Sequence, residues 1–146
     1  MGLLSILDKL LPDRFIDKKT RKILLENFGV SGHYYPLYGD IKPVNMEYFD
    51  IDVFHEHFGT KKLVDILKLI GENQINEINE SSDDLKINVD EIVIDNSETY
   101  YCNDNADWLI YCSHENTISI AGNIILDKLK EEWKEWESYH DTWETN

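Results

Sequence analysis

Apolar and polar residues alternate between residues 108 and 122, and this alternation constrains the fold more than any other feature of the chain. If residues 114–116 form a loop with Asn116 in the left-handed conformation, Ser113 faces Thr117 in a β-hairpin. That register pairs Cys112 with Ile118, Ile110 with Ile120, and Trp108 with Gly122. One face of the hairpin then receives Trp108, Ile110, Cys112, Ile118 and Ile120, and the other receives Tyr111, Ser113, Thr117 and Ser119. The sequence therefore predicts an antiparallel hairpin with one apolar face.

Two earlier segments, residues 85–89 and Thr99–Cys102, also have the alternation or β-propensity of strands. Residues 103–106 resemble a four-residue turn, which would set Cys102 opposite Asp107. Cys112 would then lie five residues along the neighbouring strand, about 16 Å away at the usual strand rise. A disulfide needs Cα atoms within about 7 Å. We therefore expect two free thiols, with Cys112 in the core.

Apolar residues at helical spacing predict four helices. They span residues 3–11 before Pro12, residues 17–28 before Gly29, residues 60–70 before Gly71, and a final helix capped by Asn123 and continuing to Tyr139. The apolar stripe of the final helix consists of Ile125, Leu129, Trp133 and Trp136. Residues 29–45 are predicted to form a long loop. Together these elements predict an α+β fold: a small antiparallel β-meander with N-terminal helices and a C-terminal helix packed on the sheet.

The length predicts a single domain over residues 1–146, and the polar, acidic segment 72–84 is a candidate mobile segment. No apolar run approaches the roughly 20 residues needed to span a bilayer. The first residues lack the basic region and cleavage site of a signal peptide. We therefore expect a cytoplasmic protein with reduced thiols and no contact with membranes.

The charge of the chain is concentrated in its second half. Residues 1–68 are neutral overall, whereas residues 69–146 carry four lysines against nineteen acidic residues, which accounts for the whole formal charge of −15. Such a field attracts cationic partners and repels nucleic acid and anionic membranes. The sequence thus predicts a basic partner and argues against nucleic-acid binding.

Several residues invite a chemical interpretation, but none has the full pattern of a known site. His55 and His57 share a face only if their segment is a strand, and the local period is compatible with either a strand or a helix. His114 precedes Glu115 without the second histidine of a zinc-protease motif. Glu132 falls inside the aromatic stripe of the final helix, where it is either a buried general acid or an edge residue that reaches water. We expect no metal, no cofactor and no catalytic residue.

The segment from Trp108 to Gly122, followed by an acidic helix bearing Trp133 and Trp136, resembles the C-terminal part of small bacterial immunity proteins. These proteins are the antidotes encoded beside polymorphic or contact-dependent toxins. The resemblance covers about thirty residues and implies a cytosolic protein that is not an enzyme. It also implies that the chain binds one cognate toxin domain and blocks its active site.

Charge and aromatic content predict the residues that contact this partner. The predicted acidic contacts are Glu131, Glu135, Asp141 and Glu144, and the predicted aromatic contacts are Tyr34, Tyr35, Tyr38 and Trp143. Two alternatives are also compatible with the sequence. The first is a small hydrolase-like enzyme that uses His114, His55 or Glu132, and the second is a general protein-interaction adaptor.

Overall fold

A computed structural model describes residues 22, 26, 46–79 and 83–141 of the chain, with the backbone alone described for Asp141. Lys22 and Glu26 are helical and form an exposed ion pair at 3.8 Å, as the predicted second helix requires at these two positions. The rest of that helix, the predicted first helix and the predicted loop at 29–45 lie outside the described residues.

The described residues form a seven-stranded antiparallel sheet with helices packed on it, which confirms the predicted α+β class. The strands are β1 (Met46–Asp50), β2 (Gln74–Asn79), β3 (Leu85–Asn88), β4 (Thr99–Cys102), β5 (Leu109–Cys112), β6 (Thr117–Ala121) and β7 (His140–Asp141). The helices are α1 (Ile51–His57), α2 (Thr60–Leu69), α3 (Asn123–Glu132) and α4 (Trp136–Tyr139), and a 3₁₀ turn spans Val89–Glu91. The order across the sheet is β3-β2-β4-β5-β6-β1-β7.

The β5–β6 hairpin has the predicted register. Cys112 pairs with Ile118 and Asn116 is left-handed with φ 62°, because the three-residue loop requires one residue in that region. The backbone N–H of Ser113 donates to the carbonyl of Thr117 at 2.9 Å. The period-two pattern therefore fixed both the loop and the faces of this hairpin.

The predicted β4–β5 turn is two residues too short. Cys102 pairs with Leu109 rather than with Asp107, so the connection spans residues 103–108. The reason is a side-chain bond: the Asn103 amide oxygen accepts from the backbone N–H of Asp107 at 2.8 Å and extends the turn. The two thiols are free, as predicted, and lie on opposite faces of the sheet.

The acidic segment 72–84, considered a candidate mobile segment, contains β2, which lies between β3 and β4. The composition of this segment does not suggest a strand, because Asn76 and Asn79 occupy buried positions where a strand usually carries apolar residues. The Asn79 side chain is fully used: its Nδ2–H donates to the Asp83 carbonyl at 2.9 Å, and its Oδ1 accepts from the Thr99 hydroxyl at 3.2 Å. The expectation of a mobile segment therefore does not hold for Gln74–Asn79, which forms a strand inside the sheet.

The final helix is shorter than predicted. It ends at Glu132, and Trp133 leaves the helical conformation with φ −120° and ψ 83°. This break lets the Trp133 ring stack on Phe49 and on Phe58, each at 5.0 Å between centroids. After the break, α4 leads into β7, in which His140 pairs with Phe49. Gly122, rather than the predicted Asn123, precedes the first helical residue.

Both faces of the sheet are buried. One face packs under α1, α2 and α3 and includes the apolar side of the hairpin. The opposite face is also inaccessible and includes Tyr48, Tyr100, Cys102, Leu109 and Tyr111. None of the helices in the described part of the chain combines the length and apolar character needed to cross a membrane.

Candidate protein-binding surface

The structure locates only part of the predicted contact set. Tyr34, Tyr35, Tyr38, Trp143 and Glu144 lie outside the described residues. Asp141 is placed in β7 by its backbone.

Glu131 and Glu135 are both exposed. Glu131 lies on α3, where its carboxylate is 3.3 Å from the Lys128 ammonium. Glu135 lies at the junction of α3 and α4. Lys130 pairs with Glu47 at 3.1 Å, and Lys134 lies one residue before Glu135. Three lysines therefore offset part of the acidic charge along α3 and the junction after it.

A second acidic surface lies at the end of the sheet where β1 and β5 end and where β3, β4 and β6 begin. We call it the acidic end and define it by five exposed residues: Asp50, Asp52, Asp83, Asp95 and Glu115. β3 and β1 are separated by five strand intervals, so the acidic end is about 24 Å long at the usual strand spacing. The segments 50–52, 83–84, 95–98 and 113–117 contain no Lys or Arg. Their one basic group is the His114 ring, which contacts Glu98 and lies 4.0 Å from the Glu115 carboxylate.

Hydrogen bonds fix several parts of the acidic end before any partner binds. The Asp50 carboxylate accepts from the backbone N–H of Val53 at 3.1 Å and caps α1. The Asn116 side-chain amide donates to the Asp52 carboxylate at 3.1 Å, and the backbone N–H of Ile51 donates to the Asn116 carbonyl at 2.8 Å. The hairpin tip and the start of α1 are thereby joined, so their acidic side chains keep a common orientation.

A buried carboxylate, Glu98, anchors the hairpin tip from the other side. It accepts from the Tyr111 hydroxyl at 2.7 Å and from the backbone N–H of His114 at 2.6 Å, and it also contacts Nδ1 of the His114 ring. Glu98 itself is left-handed, with φ 57°, just before β4. Nothing in the sequence singles out Glu98, because only the folded chain brings it within reach of His114.

The Glu98–His114 pair bears on the hydrolase alternative, since a carboxylate that orients an imidazole is part of many hydrolytic sites. The adjacent hydroxyl, Ser113, is buried and accepts from the backbone N–H groups of Glu115 at 3.2 Å and Thr117 at 3.4 Å. The Ser113 hydroxyl is thus used for hydrogen bonds that hold the loop. The arrangement accounts for the hairpin conformation without requiring a chemical step.

The histidines His55 and His57 lie on α1, which resolves the ambiguity between strand and helix. The chain is a strand up to Asp50 and a helix from Ile51. The Nε2–H of His55 donates to the Ile94 carbonyl at 2.7 Å, whereas the His57 ring stacks on Tyr139 at 3.9 Å. Within the part of the chain that the structure describes, no group of three or more His, Cys, Asp or Glu could hold a metal ion.

Burial suppresses the reactivity of the two thiols. It raises the pKa of Cys102 to about 12, partly opposed by a hydrogen bond with Asn76, and it raises the pKa of Cys112 as well. Since the thiolate is the nucleophilic form, neither cysteine acts as a nucleophile near neutral pH. Cys112 therefore behaves as the core residue that the sequence predicts.

Glu132 is exposed rather than enclosed by the aromatic stripe, because the helix ends immediately after it. It lines a groove of about 370 Å³ together with four residues of α2: Lys62, Asp65, Ile66 and Leu69. Of the two alternatives that the sequence left open for Glu132, the structure agrees with an edge residue that reaches water, at the rim of a surface groove.

Comparisons of the chain with models of protein families, with curated proteins and with solved structures found no match. The candidate site therefore rests on the chain's own charge and geometry. The acidic end was missed by sequence reasoning because four separate segments build it. The available signal was that Asp83 and Glu115 each lie within two residues of a predicted strand terminus, and that Asp95 lies four residues before another.

Proposed function

We propose that this chain is a binding protein for a basic protein partner and contacts that partner through its acidic surface. The observation that carries the proposal is the acidic end, where five exposed carboxylates occur in segments without any Lys or Arg. With a net charge of −15, the chain attracts a cationic partner over a distance limited by ionic screening. Opposite charges raise the association rate and make it sensitive to salt.

The size of the acidic end fits this role. A standard protein interface buries about 800 Å² on each partner. A strip about 24 Å long at the strand spacing, with the loops on either side of it, is of the right order for such a contact. The bonds that join Asn116 to Asp52 and Glu98 to His114 hold the surface in one arrangement, which reduces the entropy lost on binding.

We further propose that the partner is a toxin domain and that the chain is its cytoplasmic immunity protein. Two observations support this identity: the resemblance of residues 108–122 to immunity proteins, and the charge. Many nucleic-acid-cleaving domains have a basic cleft that binds phosphates, and a row of carboxylates can occupy such a cleft in place of the phosphate backbone. The chain would then act by covering the toxin's active site rather than by catalysis.

Capture of partners on the immobilised full chain tests this proposal. Lysate of cells that contain the neighbouring genes is applied, bound proteins are eluted with a salt gradient, and they are identified by mass spectrometry. The proposal predicts one basic protein that is released only at high salt. Retention of ordinary cellular proteins alone would favour the adaptor alternative, and retention of nothing would contradict the proposal.

Two matched variants then locate the contact on the surface. The first carries Asp83→Lys, Asp95→Lys and Glu115→Lys at the acidic end, and the second carries Glu131→Lys, Glu135→Lys and Glu137→Lys along the C-terminal helical segment. Each changes the net charge from −15 to −9, so the change in formal charge is equal. We expect the first variant to lose more affinity, by at least tenfold. The opposite order would assign the contact to the predicted Glu131 and Glu135.

A further inference from the structure

The groove beside α2 has an apolar floor and a charged rim. Lys62, Asp65, Ile66 and Leu69 follow one another at helical spacing and form one side, and Glu132 of α3 closes the other. Ile66 is buried at the floor, whereas Leu69 is 64% exposed. A large apolar side chain this exposed gains contacts when a partner covers it.

Two of the three charged residues that line the groove are acidic, Asp65 and Glu132. Glu132 has no ion-pair partner among the described residues, and the Asp65 carboxylate is 3.3 Å from the exposed ammonium of Lys61. Exposed pairs of that kind contribute little, so Asp65 stays available to a second cation. The Lys62 ammonium lies 5.7 Å from the centre of the Phe58 ring. The Lys62 side chain is therefore directed toward the residue that follows α1.

We propose that this groove receives an apolar side chain of the protein partner, next to a Lys or Arg that pairs with Glu132 and Asp65. The inference rests on the proposed function, and it adds an apolar anchor to an otherwise electrostatic contact. A volume of 370 Å³ lies at the lower end of the range of ligand sites and suits one or two side chains. A second copy of the chain is a poor occupant, because it carries the same charge of −15.

The test uses a defined probe instead of the unknown partner. Isotope-labelled full chain is titrated with a synthetic amphipathic peptide made only of Leu and Lys and, as a control, with the same peptide carrying Glu in place of Lys. Amide chemical shifts are followed by NMR. We expect the Leu–Lys peptide to shift the amide signals of Leu69 and Glu132, and the Leu–Glu peptide to leave them in place.

Three variants separate the apolar contact from general attraction between charges. Leu69→Gln should weaken binding of the Leu–Lys peptide at least fivefold, whereas Val93→Gln should not, although Val93 is also 56% exposed. Glu132→Gln should weaken binding and reduce its salt dependence. Both apolar positions are on the surface, so the folded state tolerates either substitution.

The inference is overturned by equal effects of Leu69→Gln and Val93→Gln, or by shifts confined to the acidic end. It is also overturned if the chain self-associates at high salt and Leu69→Gln abolishes that association, since the occupant would then be a second copy. Because the peptide assay does not use the natural partner, its failure is distinguishable from failure of the proposed function. A captured basic partner that binds Leu69→Gln normally would refute the groove and leave the function intact.

Discussion

Gly122, at the junction of β6 and α3, is the position where a single methyl group should destabilise the fold most clearly. Its φ of 108° is rarely adopted by residues with a side chain. A Cβ atom there would lie 2.5 Å from the carbonyl oxygen of Asp107 and 2.9 Å from the Cα of Trp108. Both atoms belong to the backbone of the 103–108 connection, so neither can move without shifting that connection.

Two contributions add in the variant Gly122→Ala. A side chain in a sparsely populated backbone region costs about 1–3 kcal/mol. Overpacking against atoms that cannot rotate away costs roughly another 1–3 kcal/mol. We therefore expect the free energy of unfolding to fall by about 2–6 kcal/mol, a large part of the 5–15 kcal/mol typical of a folded domain. Urea unfolding followed by tryptophan fluorescence measures this change.

Gly71 supplies the matched control. Its φ is 97°, close to that of Gly122, but nothing lies within 4 Å of a Cβ added there. Gly71→Ala therefore carries the backbone strain without the collision and should cost about 1–3 kcal/mol. The reasoning predicts that Gly122→Ala is the more damaging variant by roughly 1–3 kcal/mol. Equal losses for the two variants would refute the close approach of the two segments.

Three further predictions concern the core and its titratable groups. Trp133→Ala should lower the free energy of unfolding by about 3–5 kcal/mol, because it removes a buried ring with three stacking partners, and thermal unfolding followed by circular dichroism would show a drop in Tm. Cys102 and Cys112 should react with Ellman's reagent at pH 8 only after unfolding, since burial raises both pKa values; prompt reaction of the folded chain would contradict their placement. A hydrogen bond from Lys86 lowers the pKa of Asp104, so its stabilisation is present above the ordinary Asp value and is lost as the pH falls through the lowered one. Lys86→Met should raise the pKa of Asp104 toward 3.8 in an NMR titration, and an unchanged value would show that Lys86 is not the cause.

The sequence was most informative where one local pattern determined both the loop and the register. In the β5–β6 hairpin, a loop length and a single left-handed residue were sufficient, because a shift of one residue would have turned every apolar side chain away from the core. The β4–β5 connection was misjudged because the Asn103 side chain replaces a backbone partner and lengthens the turn. An error of two residues in the length of the turn leaves each side chain on the same face of the sheet. The prediction of two free thiols was therefore still correct.

Other features depended on contacts between distant parts of the chain. The continuous periodicity of residues 123–139 predicts one helix, but the space between Phe49 and Phe58 is better filled when Trp133 leaves the helix. Likewise β2 could not be recognised from composition, because the side chains of its buried asparagines, Asn76 and Asn79, bond to groups that only the fold brings near, such as Asp104 and Thr99. Tertiary packing overrides local propensity in both cases.

Part of the candidate site could be predicted from the sequence, and part could be located only from the folded structure. The sign of the charge and its concentration after residue 68 follow from composition alone. The acidic end could be located only from the strand order, because Asp83 and Asp50 are brought onto one side of the molecule by strands that are five intervals apart. The groove could be located only from the packing of the helices, because Glu132 and Leu69 are 63 residues apart in the chain but line the same depression.

Neutralisation in a living cell tests the central claim most directly. The basic protein captured from lysate is expressed under an inducible promoter, with the wild-type chain, the acidic-end variant or the helical-segment variant expressed beside it, and growth is measured. The proposal predicts that the captured protein alone stops growth, that the wild-type chain restores it, and that the acidic-end variant restores it least although all three chains accumulate equally. A captured protein that leaves growth unaffected, or one that is neutralised equally by all three chains, would contradict the account.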